Sequence, residues 1–173
     1  MALETAYIQE KLSKKFGDNV LNFEMNRDIF SFEATSETIH EVIRFLKEQE
    51  DLNFHFLTDL CGVHYPENDE FRQYAVVYHM HNWIESVRIR IKTFVKGENP
   101  EIDSVTDLFL TANWMERETF DFYGINFKGH PQLKRILNMD EMVSFPMRKE
   151  FPLEDQGRTD KDDRFFGRTP ANC

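Results

Sequence analysis

Glu116, Arg117, Glu118 and Asp121 crowd into one short run, with His130 a little further on. Carboxylates near an imidazole are minimal equipment for general acid–base catalysis. A helix from Trp114 to Phe122 or Tyr123, closed by Gly124, would place Arg117 and Asp121 at i and i+4 and Glu118 and Asp121 at i and i+3. Two readings follow. In one, Glu116, Asp121 and His130 move protons. In the other, the charges lock the helix against the following turn and against a partner, with Arg117 and Asp121 as the central pair. The lock is favoured: a guanidinium holds neighbouring carboxylates ionised, which does not suit a tuned base. No nucleophile or glycine-rich loop stands beside the run.

Other chemistry-bearing residues are sparse. His79 and His81 share one strand face, but a metal needs further ligands, and half-buried strand histidines are the simpler reading. Cys61 and Cys173 form no CxxC, so an ordinary iron–sulfur cluster is not expected in this chain. Two such cysteines suggest no disulfide framework, in keeping with a reducing compartment. Gly124 and Gly129 do not make a GxGxxG fingerprint. Tyr74, Tyr78 and Trp83 could stack a ring, although strand aromatics are usually core. Arg88, Arg90 and Lys92 read as a solvated basic face.

The chain has 173 residues and a formal net charge of −10. Residues 1–113 hold 20 acidic and 11 basic side chains, and residues 114–173 hold 11 and 10. An acidic body repels phosphate backbones, so nucleic acid is an unexpected partner. Met1 to Phe16 lacks the apolar segment of a secretory signal. No stretch approaches the ~20 apolar residues of a membrane span, so membrane contact is expected only through partners.

The elements that must position these residues are legible in the periodicity. Residues 3–16 carry Leu3, Ala6, Tyr7, Ile8, Leu12 and Phe16 at helical spacing before Gly17. Short strands follow near 19–25 and 28–34. Ser36 precedes a helix to about Glu50, with Ile39, Val42, Ile43, Phe45 and Leu46 on one face. Residues 53–65 read as a strand alternating Phe54 and Phe56 with His55 and Leu57. Residues 74–81 put Tyr74, Val76, Tyr78 and Met80 on one face, and a turn near 82–85 leads to the alternating Val87–Lys92. Ser104 with Asp107 looks like a capping box opening a helix through Val105, Leu108, Phe109 and Ala112. The fold class is α+β, a mostly antiparallel sheet with helices packed on one side, followed by an extended C-terminal arm. Residues 1–137 form the body. Residues 138–173, non-periodic but rich in Phe, Pro and Arg, form an arm suited to wrapping a partner surface.

The run resembles a family signature: Glu116-Arg117-Glu118, then Asp121, Phe122-Tyr123, His130, Lys134 and Ile136-Leu137 at the family's spacing. Residues 104–107, 112–114 and 147–153 are similar too. On these residues the chain resembles the C subunit, the 30-kilodalton subunit family, of respiratory complex I, NADH:quinone oxidoreductase. The resemblance implies a cofactor-free structural subunit of the hydrophilic arm, with no catalytic centre of its own. FMN, iron–sulfur clusters, NADH and quinone would then be bound by other subunits. It implies a peripheral place on the cytoplasmic side of the cell inner membrane. It also implies contact with the D subunit, which shapes the quinone pocket, and with other hydrophilic-arm subunits. Partner-binding residues carried over are Glu116, Arg117, Glu118, Asp121, Tyr123, Gly124, His130, Pro131, Lys134, Arg135, Arg148, Phe151 and Pro152. The same subunit in a hydrogenase-like or other-donor complex fits this chain equally well. A stand-alone acid–base enzyme and a free-standing adaptor are the alternatives from other classes.

Overall fold

The computed structural model describes residues 3–97 and 99–151. The first helix, α1 (Thr5–Phe16), buries Ile8 and Leu12, one turn apart. It carries Lys14 and Lys15 in its last turn, where cations complement the helix dipole. Strands β1 (Val20–Asn26) and β2 (Ile29–Ala34) form a hairpin through Arg27 and Asp28, both at positive φ. Helix α2 (Ile39–Glu48) opens two residues later than a start just after Ser36 and buries Ile39, Val42, Ile43, Phe45 and Leu46. Then come β3 (Phe56–His64), β4 (Tyr74–Asn82), β5 (Val87–Val95) and the short β6 (Glu101–Asp103). Helix α3 (Ala112–Tyr123) and the short β7 (Asn126–Lys128) complete the regular elements among the described residues.

The main sheet has the order β1-β2-β5-β4-β3. Its pairs are antiparallel except β2 with β5, which run parallel because α2, β3 and β4 intervene. Its inner face carries Phe30, Phe32, Leu57, Leu60, Val76, Tyr78, Met80, Ile89 and Ile91, which share one core with the buried residues of α1 and α2. Tyr74 and Tyr78 belong to that core, whereas Trp83 stands in the β4–β5 turn, 60% exposed. The other face carries Cys61, Val63, Val77, His79, Arg90 and Lys92 around a concavity of about 660 Å³, which none of the signature residues line.

Two local expectations are corrected. Phe54 and Phe56 do not share a buried face: Phe54 is fully buried before the strand begins, and Phe56 is exposed at its start. Asn53 at positive φ and a register shift between Leu57 and Asp59 reset the phase, so Leu57, Leu60, Gly62 and His64 face inward. Nor does Ser104 cap a helix; turns lead to Ala112. The Ser104 N–H donates to the Lys128 carbonyl as β6 pairs with β7, and Asp107 pairs instead with His40 at 2.9 Å. Tertiary bonds have captured both members of the local motif.

Candidate functional site at the third helix

Helix α3 lies on the inner face of β3, at Gly62. A Cβ there would stand 2.6 Å from the Tyr123 ring and 2.9 Å from the Thr119 methyl group. The missing side chain therefore sets how closely helix and sheet approach. The C-terminal end is Gly124 in the left-handed region (φ +73°), whose N–H caps the Phe120 carbonyl at 2.8 Å. Any Cβ on Gly124 would meet the Phe145 ring at 2.6 Å and the Arg148 guanidinium at 2.7 Å.

The charged residues of α3 do not form the expected lock. Arg117 does not pair with Asp121. Its Nε and Nη2 donate to the carbonyls of Lys134 and Arg135 at 3.1 and 3.0 Å, while its guanidinium lies 5.2 Å from the Trp114 ring. Asp121, fully buried, instead holds the Arg135 side chain at 2.7 Å. Its Oδ2 accepts the N–H groups of Ile136, Leu137 and Asn138 at 3.0, 2.8 and 2.9 Å, and its Oδ1 also accepts Asn138 Nδ2 at 3.1 Å. Burial pushes this carboxyl upward. The Asn138 and Leu137 N–H groups, Arg135 and the Ile136 N–H outweigh it and hold the carboxyl well below the usual range. The i,i+4 spacing thus mispredicts the partner, because a buried carboxylate with five donors is better satisfied than one side of a surface pair.

Glu116 is also corrected. It belongs to no charge network with Arg117; it is fully buried and accepts from Ser104 Oγ and the Val105 N–H, both at 2.7 Å. Burial raises its pKa to about 7, more than those two bonds lower it. Glu118 is exposed on the remaining face. His130 bridges: its Nε2 donates to the Asn113 carbonyl at 3.1 Å, while its Nδ1 accepts the Gln132 N–H at 3.0 Å. Pro131 and Lys134 are exposed along the same connection. Glu116, Asp121 and His130 therefore each serve a separate structural contact and converge on no common point where a substrate could sit.

The chain beyond α3 is bonded back onto it. Arg135 Nη2 donates to the carbonyls of Met142 and Ser144 at 2.6 and 3.0 Å. The last carbonyls of α3 receive Met147 N–H (to Phe122, 3.2 Å) and Arg148 Nε (to Tyr123, 2.8 Å), which satisfies orphan groups of the helix end. Phe145 packs edge-on to Phe120, and Arg148 lies over the Tyr74 and Phe145 rings at 5.0 and 4.6 Å. The Lys149 N–H donates to His64 Nδ1 at 2.9 Å. Against this strapped background Leu137, Met139, Val143, Met147 and Phe151 remain exposed. Pro152 lies outside the described residues. His64, Asn138 and Phe145 were missed as site residues, and Ser104 was read only as a helix cap; each acts across many intervening residues, so no local spacing marks its partner.

No group of three or more metal-ligating side chains occurs among the described residues, and no helix there is long and apolar enough to cross a membrane. Glu116, Arg117, Asp121 and His130 are each engaged in binding one part of the chain to another. The architecture is that of an α+β subunit body with a strapped C-terminal segment.

Known proteins share it. The fold matches Nqo5 of a trypsin-resistant fragment (1-134) with a TM-score of 0.61 and 28% identity, covering 73% of this chain and 98% of that one. It also matches a chain of the membrane-bound sulfane sulfur reductase, an archaeal respiratory membrane complex, with a TM-score of 0.71. That pair is 23% identical, covers 86% of this chain and 85% of the other, and speaks to fold alone. Among curated relatives, the NADH-quinone oxidoreductase C subunit 2 of Rhizobium etli (strain CIAT 652) is 41% identical, over 98% of this chain and 88% of the relative. The NADH-quinone oxidoreductase C subunit of Roseiflexus sp. (strain RS-1) is 38% identical over 98% of both chains. The family model for the respiratory-chain NADH dehydrogenase 30 Kd subunit matches residues 32–157. The chain belongs to that family.

Proposed function

We propose that this chain is a cofactor-free scaffold in the hydrophilic arm of NADH:quinone oxidoreductase. Its third helix and the segment beyond it hold neighbouring electron-transfer subunits near the quinone site. The D subunit is the principal partner, with other hydrophilic-arm subunits beside it. FMN, iron–sulfur clusters, NADH and quinone are bound elsewhere in the assembly. The chain sits peripherally on the cytoplasmic side of the inner membrane and reaches the membrane only through the complex. Residues 138–173 act as the partner-binding arm and residues 1–137 as the body.

One observation carries this reading: the clasp of Asp121 on Arg135 and on the N–H groups of Ile136, Leu137 and Asn138. Four fixed donor groups on one buried carboxylate make a rigid root for the arm. Leu137 and Met139, 65% and 73% exposed, leave the body in a set direction. Pre-ordered apolar side chains lower the ordering cost of association.

The test uses a tagged chain expressed in cells that make the whole complex. The wild-type chain is expected to recover the D subunit and other arm subunits from membranes. A Leu137→Ser/Met139→Ser variant should fold normally, since both side chains are exposed, yet recover less complex. Quinone-reductase turnover per assembled complex should stay unchanged. Normal assembly with collapsed turnover per complex would overturn the scaffold role.

A further inference from the structure

The β4–β5 turn lies at the opposite end of β4 from the strapped segment at Arg148. Asn82, 2% exposed, holds it from beneath. Its Nδ2 donates to the Leu52 carbonyl at 2.8 Å, and its Oδ1 accepts the N–H groups of Ile84 and Glu85 at 2.9 and 3.0 Å. Ser86 at φ +54° turns the chain back into β5. The two residues presented by this scaffold are Trp83, 60% exposed, and Ile84, 76% exposed. Phe56, also exposed, supports the indole edge-on at 5.1 Å, and His81 lies 6.1 Å away. Exposed Arg88 pairs in register with His81.

Scattered exposed apolar residues need no explanation, but these three are contiguous and their backbone is fixed. Rigid Trp with neighbouring Arg is the composition of an interface hot spot. We propose that this turn is a second docking knob, seated in an apolar pocket of another protein subunit whose rim carries hydrogen-bond acceptors. The acceptors answer the indole N–H and the Arg88 guanidinium, which can only donate, while the Glu85 carboxylate of the same turn calls for a donor beside them. The proposal rests on the reading of the chain as a subunit of an assembly and adds where a second neighbour binds.

Position separates this knob from the arm. Arg148 of the strapped segment lies over Tyr74, the first residue of β4, and Asn82 is the last. At about 3.3 Å per residue, β4 places the Arg148 contact and the turn roughly 25 Å apart. Other occupants fit worse. Glu85 and Arg88 cancel within the knob, and the chain's net charge of −10 repels an anionic lipid surface. A second copy would bring a further −10, and one knob buries far less than the ~800 Å² per partner of a stable dimer. A single knob is adequate only as one contact among several.

The test is photo-crosslinking in the intact complex, with a benzophenone side chain replacing Ile84 in one chain and Met139 in another. Position 84 is expected to capture a protein subunit different from the one captured at 139. A Trp83→Ala/Ile84→Ser variant should lower recovery of that subunit about tenfold while the partner captured at 139 is retained. The thermal midpoint of the isolated variant should fall by no more than a few degrees, because Trp83 loses only its edge contact with Phe56 and Ile84 is exposed. Crosslinks from 84 only to lipid, to another copy of this chain, or to the partner captured at 139 would overturn the proposal. So would a variant complex of unchanged composition. If the wild-type chain recovers no oxidoreductase subunits, the assembly reading itself fails, independently of the knob.

Discussion

Glu116 and Asp121 are both fully buried on one helix, yet they favour opposite protonation states. Glu116 receives two donors and is raised from 4.5 to about 7 by burial. Its folded pKa lies above the unfolded one, so its stabilising contribution is complete below about pH 4.5 and is lost as pH rises through 7. Each tenfold difference in proton affinity between folded and unfolded states is worth about 1.4 kcal/mol, so the isolated chain is expected to lose about 3 kcal/mol from this group between about pH 4.5 and 8. Chemical denaturation of Glu116→Gln across that range should remove this slope, since a neutral amide still accepts from Val105 and Ser104 Oγ can reverse its bond. A slope unchanged in the variant would place the titration elsewhere. Asp121 behaves the other way. Its pKa is depressed, so its contribution is present above the ordinary value of 3.8 and lost as pH falls through its folded value. Asp121→Asn leaves Arg135, whose side chain is 8% exposed, without its charge partner. Removing one member of such a pair costs about 3–5 kcal/mol. Limited proteolysis should then cut between 135 and 151 in the variant before wild type.

At the scale of elements, the close approach of α3 to β3 depends on Gly62 and the exit of the chain from α3 depends on Gly124. Gly62→Ala would force the Tyr123 ring and the Thr119 methyl away from contacts of 2.6 and 2.9 Å. Overpacking of this kind costs about 1–3 kcal/mol, and the expected result is a lowered denaturation midpoint in the isolated chain. A midpoint equal to wild type would mean that the helix can lift from the strand freely. Gly124→Ala acts on a different link, displacing Phe145 and Arg148 from the helix end and straining a left-handed residue.

For the whole molecule, the described side chains with metal-binding or proton-moving chemistry are distributed among structural contacts. His130, His64 and His79 each have a ring nitrogen in a hydrogen bond, to Asn113, Lys149 and Arg90 respectively. Burial, and then Asp59 and Glu118, push the Cys61 thiol upward, which disfavours a free thiolate there. The purified chain is therefore expected to carry no stoichiometric metal, flavin or NADH. Elemental analysis and an absorption spectrum of native material check this, and a bound chromophore would refute it.

Hydrophobic periodicity was enough to read α1, α2 and the strands β4 and β5, because burial of one face imposes a repeat on the residues themselves. The Glu116–Leu137 spacing was likewise enough to point to the family, and Gly124 to the helix end. The phase of β3 was not legible, since a register shift and a positive-φ Asn53 move the buried set without altering composition. Nor was the absence of a helix at Ser104, whose capping groups are diverted to Glu116, Lys128 and His40. Above all, the partner of Asp121 was decided by tertiary structure. Local spacing offered Arg117 one turn away. Folding offered Arg135 and three aligned N–H groups in a dry site, and for a buried charge the number of fixed donors outweighs proximity along the chain.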